Sequence, residues 1–236
     1  RSSLLQIIHG VPQGTILGPI LFLIYINSLC LLPIPGKNFS YADDTSVVIS
    51  SDSWKNTQLL AEQCISKLQK HLDDNLLILN LGKTVFVCFS PTRKGLPMEG
   101  FTLKYHSIEC NAAQFCQCPS MKRVESTKYL GIQIDQFLKW HTQLDLLSKK
   151  IRNCSYIFYR LRNVCSVNLM RTIYMALIHS HLTYAIIAWG SALQTHLKSL
   201  ISAQKLIVRV CKLDFKKNNL LQVPQIFEFQ TVKFFS

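Results

Sequence analysis

Phe39-Ser40-Tyr41-Ala42-Asp43-Asp44-Thr45-Ser46-Val47-Val48-Ile49-Ser50 sets two adjacent carboxylates between two short runs of strand-forming residues. Side chains alternate along a strand, so Asp43 and Asp44 can serve one site only where the backbone reverses, at the turn of a hairpin. Two-residue hairpin turns favour Asn-Gly or Asp-Gly because both central positions need positive φ, so Asp-Asp is a poor choice on stability grounds. Two carboxylates held close repel unless a cation lies between them, and hard oxygen ligands of this kind suit magnesium bound together with phosphates. Taken alone, the two residues fit a solvated acidic turn as well as a metal site.

The rest of the chain narrows that choice. With 236 residues, 48% of them hydrophobic, it can bury a substantial core as one large domain or two smaller ones, and disorder is excluded. It begins at Arg1 inside an apolar pattern, which reads as part of a longer polypeptide lacking its N-terminal portion. The net charge of +13 is unevenly spread. Residues 1–118 carry nine Lys and Arg against eight Asp and Glu, whereas residues 119–236 carry seventeen against five. A basic half beside a near-neutral half with a carboxylate pair suggests a polyanion gripped by one part and processed by the other.

Nine cysteines follow no framework spacing. Cys110, Cys116 and Cys118, near His106, form the one cluster, and Cys-x-Cys lacks the gap of common zinc knuckles. Free thiols in a reducing compartment fit better, and no signal-peptide pattern opens the chain, so an intracellular protein, nuclear or cytoplasmic and not secreted, is expected. From Val11 to Gly36 no residue is charged. Gly18-Pro19, Asn27-Ser28, Pro33 and Pro35 interrupt that run, which argues against a membrane span and for a helix buried in a soluble core.

Ahead of this helix, Gly10-Val11-Pro12-Gln13-Gly14 forms a loop that lets a ligand approach the main chain, with Gln13 able to donate and accept hydrogen bonds. Gly10-Val11-Pro12-Gln13-Gly14-Thr15-Ile16-Leu17-Gly18-Pro19, then Tyr25-Ile26-Asn27, then Tyr41-Ala42-Asp43-Asp44-Thr45, resembles the reverse transcriptase of non-LTR (LINE-type) retrotransposons. The resemblance implies an α+β right-hand polymerase fold: a partial palm of antiparallel sheet with packed helices over 1–138, a basic helical thumb over 139–213, and a tail of open role over 214–236. It implies that Asp43 and Asp44 bind catalytic metal, two Mg2+ ions in the full-length parent. It also places Pro12, Gln13, Gly14, Tyr41 and Ala42 at the nucleotide and template. Ser28 stands where the family has Asp.

Residues 52–77 read as an amphipathic helix, with Leu60, Cys64, Leu68, Leu72 and Leu76 as its apolar stripe and Ser51, Asp52 or Ser53 as its cap. Leu79–Phe89 reads as a turn and strand resembling the family's Asn-x-x-Lys-Thr element, which implies a place for Lys83 beside the triphosphate, where an ammonium could stabilise departing pyrophosphate. Phe101–Tyr105 suggests a further strand. Thr127–Asp135 resembles the primer-gripping hairpin, implying primer contact at Tyr129, Leu130 and Gly131. Beyond it, Leu144, Leu147, Ile151, Cys154, Phe158, Leu161 and Cys165 step by three and four, which predicts one helix with Lys149, Lys150 and Arg152 turned outward to nucleic-acid backbone. A second helix is predicted from Asn168 through Leu177, and a third over Leu197, Leu200, Gln204, Ile207, Val208 and Cys211. Tyr184 and Trp189-Gly190 resemble the layout of the family's thumb.

The partners so implied are an RNA template, a DNA primer and deoxynucleoside triphosphates, with no membrane. In the family a third carboxylate comes from upstream of the Gly-rich loop, and nothing in this chain replaces it. The expectation is an inactive portion of an RNA-directed DNA polymerase. The alternative is a noncatalytic basic module that binds nucleic acid.

Overall fold

The computed structural model describes residues 14–98, 100–106 and 118–236. Short two-stranded sheets combine with many helices, so the α+β class holds. The described residues divide into two compact units, drawn from 1–86 with 97–123 and from 87–96 with 124–236.

In the first unit, helix α1 (Gly18–Cys30) starts with Pro19 in its first turn, where a missing N–H costs nothing, and Thr15 Oγ1 accepts from Gly18 N. Strands β1 (Lys37–Tyr41) and β2 (Asp44–Val48) pair antiparallel, with Tyr41 opposite Asp44. The Asn38 amide donates to Leu29 O at 2.9 Å, tying β1 to the end of α1. Helix α2 (Trp54–Asp74) is capped by Ser53, whose side chain accepts from Asn56 N. It buries Ala61, Cys64 and Gln69.

Four expectations change here. Helix α1 buries only Gly18 and Leu29 and leaves Ile20, Leu23 and Ile24 exposed, Ile24 by 69%. A helix apolar all round has no polar side to turn outward, and the described residues cover only one of its sides. Helix α2 stops before Leu76, which takes a φ of 54° and is exposed. The expected strand over 79–89 is reduced to β3 (Val85–Phe86), parallel to β4 (Lys122–Arg123), and Phe101–Tyr105 forms a single bridge, Lys104 to Ser120.

In the second unit, β5 (Ser126–Tyr129) and β6 (Ile132–Asp135) form a hairpin whose turn residues, Leu130 and Gly131, both have positive φ, 45° and 83°. That is the turn whose twist matches paired strands, and glycine adopts it without strain. The Asp135 carboxylate then accepts from Phe137 N, Lys139 N and Trp140 N at 3.1, 3.1 and 2.7 Å. It thereby fixes a loop in which Leu138 and Trp140 are left-handed.

The predicted single helix over 144–165 is two, α3 (His141–Asn153) and α4 (Ser155–Leu161), interrupted at Cys154. Leu144, Leu147, Ile151 and Phe158 keep their common inward phase across the break, so the apolar pattern does not register it. Helix α5 (Val167–Tyr174) continues through a π-helical turn (Met175–His179) into α6 (Ser180–Thr183), followed by α7 (Ile186–Trp189). Helix α8 (Gln194–Val210) buries Leu197, Leu200, Gln204, Ile207 and Val208 as expected. The segment left without a reading contains α9 (Val223–Phe235), whose start is secured by a reciprocal Gln222–Gln225 capping box and whose Val223 and Ile226 join the core. Gly190 lies so close to Phe227 that a Cβ there would sit 2.3 Å from the ring.

Gln204 is fully buried inside this core. Its amide nitrogen donates to the Tyr174 hydroxyl at 2.9 Å and to Leu221 O at 2.8 Å, while its oxygen accepts from Val223 N at 3.1 Å. One side chain thus satisfies groups on α5, on α9 and on the segment before it. Burial pushes the Tyr174 hydroxyl up to about 12, the Gln204 hydrogen bond opposing it, and burial pushes the Cys211 thiol up to about 12 as well.

Two predictions arise from this core. Gln204→Leu strands three buried polar groups, and urea denaturation should show a loss of about 2–4 kcal/mol; a loss of only a few tenths would mean that water replaces the amide. Both raised groups hold their protons more tightly in the folded chain. The stability this contributes is complete below the ordinary values of 9.0 for Cys211 and 10.0 for Tyr174 and is lost as pH rises through about 12. Urea midpoints should fall from about pH 9 upward, and Cys211→Ala should remove the earliest part of that fall; an unchanged profile in the variant would refute the assignment.

Candidate functional site

At the hairpin of the first unit, the turn residues are Ala42 and Asp43, and Asp44 opens β2. Ala42 alone takes positive φ, 52°, while Asp43 keeps negative φ. The turn therefore differs from the doubly left-handed form that Asn-Gly serves, and its strain falls on alanine. Of the two carboxylates expected at the turn, only Asp43 lies in it, because Asp44 already pairs with Tyr41 as the first residue of β2. Both are exposed, and neither has an ion-pair partner among the described residues. Ser40 and Thr45 hydroxyls lie 3.4 Å apart across the strands behind the turn. Tyr41, opposite Asp44, is 67% exposed.

The two aspartates supply hard oxygen donors, the type that magnesium prefers. They do not complete a cage: among the described residues no group of three His, Cys, Asp or Glu is placed to hold a metal ion. The chemistry of the donors fits, and their number does not suffice.

Gly14 has a φ of 85° and open space around it, whereas Pro12 and Gln13 lie outside the described residues. So do Cys110 and Cys116. Lys83 follows a turn built by Asn80, whose carbonyl accepts from Lys83 N and Thr84 N. Its side chain is exposed with no ion pair among the described residues.

In the second unit, Leu130 O at the tip of the β5–β6 hairpin accepts from the Tyr184 hydroxyl at 2.5 Å. Tyr184 is held in turn, because its own carbonyl accepts from the buried Trp189 ring nitrogen at 3.0 Å and the next residue, Ala185, is left-handed. A cleft of about 440 Å3 opens beside the hairpin, bordered by Lys128, Gly131, Gln143, Lys150, His181 and Tyr184. Gln143 Oε1 accepts from Gln133 N at 2.9 Å and anchors β6 to α3. Burial, and then the charge of Lys150, hold His181 below its ordinary 6.5.

Lys149, Lys150 and Arg152 are all exposed, as expected, but they do not form one face. Lys150 and Arg152 are two residues apart, about 200° around a helix, so Lys150 borders the hairpin cleft and Arg152 does not. Sequence reasoning passed over Lys128, Gln143 and His181. They meet only through long-range packing, and no local spacing signals them.

No helix among the described residues is long and apolar enough to cross a membrane. No solved structure matches the chain at a significant level. The chain is 23% identical over 214 residues to the RNA-directed DNA polymerase from mobile element jockey of Drosophila melanogaster, covering 85% of this chain and 21% of that protein. It is 25% identical over 225 residues to the jockey polymerase of Drosophila funebris, covering 89% and 22%. A probable RNA-directed DNA polymerase from transposon BS of Drosophila melanogaster is 24% identical over 206 residues, covering 79% and 20%. The chain thus spans about a fifth of the length of the curated relatives it matches. The family model for reverse transcriptase (RNA-dependent DNA polymerase) matches residues 3–134, across both the carboxylate hairpin and the β5–β6 hairpin. The chain belongs to the reverse transcriptase family.

Proposed function

We propose that the chain carries part of the polymerising centre of a mobile-element RNA-directed DNA polymerase, with Asp43 and Asp44 as metal ligands and palm and thumb elements in its first and second units. The observation that carries this reading is the exposed carboxylate pair at a strained hairpin turn inside the segment that matches the family. A turn that places strain on Ala42 to present two unpaired like charges has no stabilising purpose of its own.

In this reading a primer 3′-hydroxyl attacks the α-phosphorus of a deoxynucleoside triphosphate, the new phosphodiester forms, and pyrophosphate departs. Mg2+ bound at Asp43 and Asp44 would supply Lewis-acid stabilisation of the phosphoryl oxygens and lower the pKa of the attacking hydroxyl. Lys83 offsets negative charge on the leaving pyrophosphate. Pro12, Gln13 and Gly14 are assigned to nucleotide and template, as are Tyr41 and Ala42. Tyr129, Leu130 and Gly131 carry the primer, their turn held by Tyr184. Lys149, Lys150 and Arg152 neutralise backbone phosphates. Completion of the metal cage calls for a carboxylate beyond the two at the hairpin.

Primer extension tests the assignment. On an RNA template with Mg2+, the 236-residue chain should extend no primer, whereas a polypeptide lengthened to match the relatives should, with Asp43→Ala lowering its rate by at least about a hundred-fold. Unimpaired extension by the Asp43→Ala form would overturn the metal-ligand role. The hairpin cleft is tested separately by NMR titration. His181 should titrate below its ordinary 6.5, and Lys150→Gln should raise its midpoint; an unmoved midpoint would show that the two groups do not face each other.

A further inference from the structure

Between Asp145 and Asp214 the chain holds ten Lys and Arg and no Asp or Glu. On α3 and α8 the apolar seams face the core, and Lys149, Lys150, Arg152, Lys205 and Arg209 lie exposed on their outer sides. Helices α3 and α8 pack against each other, and between them runs a groove of about 330 Å3 lined by Arg152, Ser202, Lys205, Leu206 and Arg209. On α8 the spacing of Ser202, Lys205 and Arg209, by three and then four, puts them on one face. Leu200, Ala203, Gln204 and Ile207 fill the core on the other side. Arg152 comes from the facing flank of α3. All three cations are exposed, and none has an ion pair among the described residues.

We propose that the α3–α8 groove binds successive phosphates of a nucleic-acid strand. Three like charges along one groove repel each other, and a polyanion whose charges repeat along its length relieves that repulsion at all three positions together. The guanidinium groups of Arg152 and Arg209 can each bridge two phosphate oxygens, Lys205 adds a point charge, and the Ser202 hydroxyl can donate a hydrogen bond. A single inorganic phosphate shares the chemistry but would engage only part of this row. The groove is separate from the hairpin cleft, because Lys150 and Arg152 leave α3 in different directions. This inference rests on reading the chain as one that handles nucleic acid.

Fluorescence anisotropy with a labelled RNA–DNA hybrid of about 20 base pairs, across a series of KCl concentrations, tests the groove. Lys205→Gln with Arg209→Gln should weaken binding about tenfold or more and reduce the slope of log affinity against log salt by about 1.4 to 1.8, from two lost phosphate contacts. Arg152→Gln, on the opposite wall, should reduce the slope by about 0.7 to 0.9, and Arg209→Lys should keep most of the binding. The charge-matched control Lys216→Gln with Lys217→Gln, outside the groove, should change affinity less than about twofold if contacts are local. An equal loss in the control, or wild-type binding by the groove variant, overturns the proposal. So does displacement of the hybrid by inorganic phosphate beyond that caused by chloride of equal ionic strength, which would mark a site for free anions. These outcomes leave the polymerase reading standing, since extension rather than binding judges it.

Discussion

A single buried amide fixes the helical half of this molecule. Gln204 sits among apolar neighbours on α8 and meets the Tyr174 hydroxyl, the Leu221 carbonyl and the Val223 amide at once. In a dry core each of those groups would be costly without a partner, so α8 has one rotational setting relative to α5 and α9. The next residue, Lys205, lies about 100° further round and is thereby turned to the surface, with Arg209 one turn beyond. Core satisfaction and the placement of positive charge are two consequences of the same constraint.

The carboxylate hairpin works against a weaker frame. Two strands alone hold marginal stability, and here they are secured by the Asn38 bond to Leu29 and by cross-strand hydroxyls. On that frame stand two exposed like charges and a left-handed alanine. Strain and repulsion concentrated on a small, lightly packed element are what a functional turn looks like, because a structural one would relieve both with glycine or asparagine. The β5–β6 hairpin offers a partial contrast: Gly131 takes its positive φ freely, and the left-handed Leu130 beside it is held by the bond its carbonyl accepts from the Tyr184 hydroxyl.

Much of this was legible in the residues. The seam of α8 and the inward residues of α3 and α4 followed from helical periodicity, and the turn position of Asp43 followed from the alternation of strand side chains. The break at Cys154 was not legible, since both helices keep the same phase. Nor was the π-helical turn at Met175–His179, which inserts one residue without disturbing the apolar content. Helix α9 was hidden by aromatics spread around its circumference, although Gln222 and Gln225 at capping-box spacing and Pro224 in the first turn were signals of its start. Helix α1 misled in the other direction: uniform hydrophobicity reads as burial, while the described residues cover one side only. The two basic clefts escaped because Lys128, Lys150 and His181, or Arg152 and Arg209, are brought together by packing over long sequence separations.

The claim on which the rest turns is that Asp43 and Asp44 hold the metal of a polymerase centre. Fe2+ substituted for Mg2+, with hydrogen peroxide added as oxidant and ascorbate as reductant, reduces the peroxide to hydroxyl radical and hydroxide beside its ligands and so cuts the polypeptide there. In a polypeptide of the relatives' length with template, primer and nucleotide bound, cleavage is expected within Tyr41–Thr45, to be suppressed by excess Mg2+ and lost in Asp43→Asn. Cleavage confined to other segments, with this hairpin left intact, would contradict it.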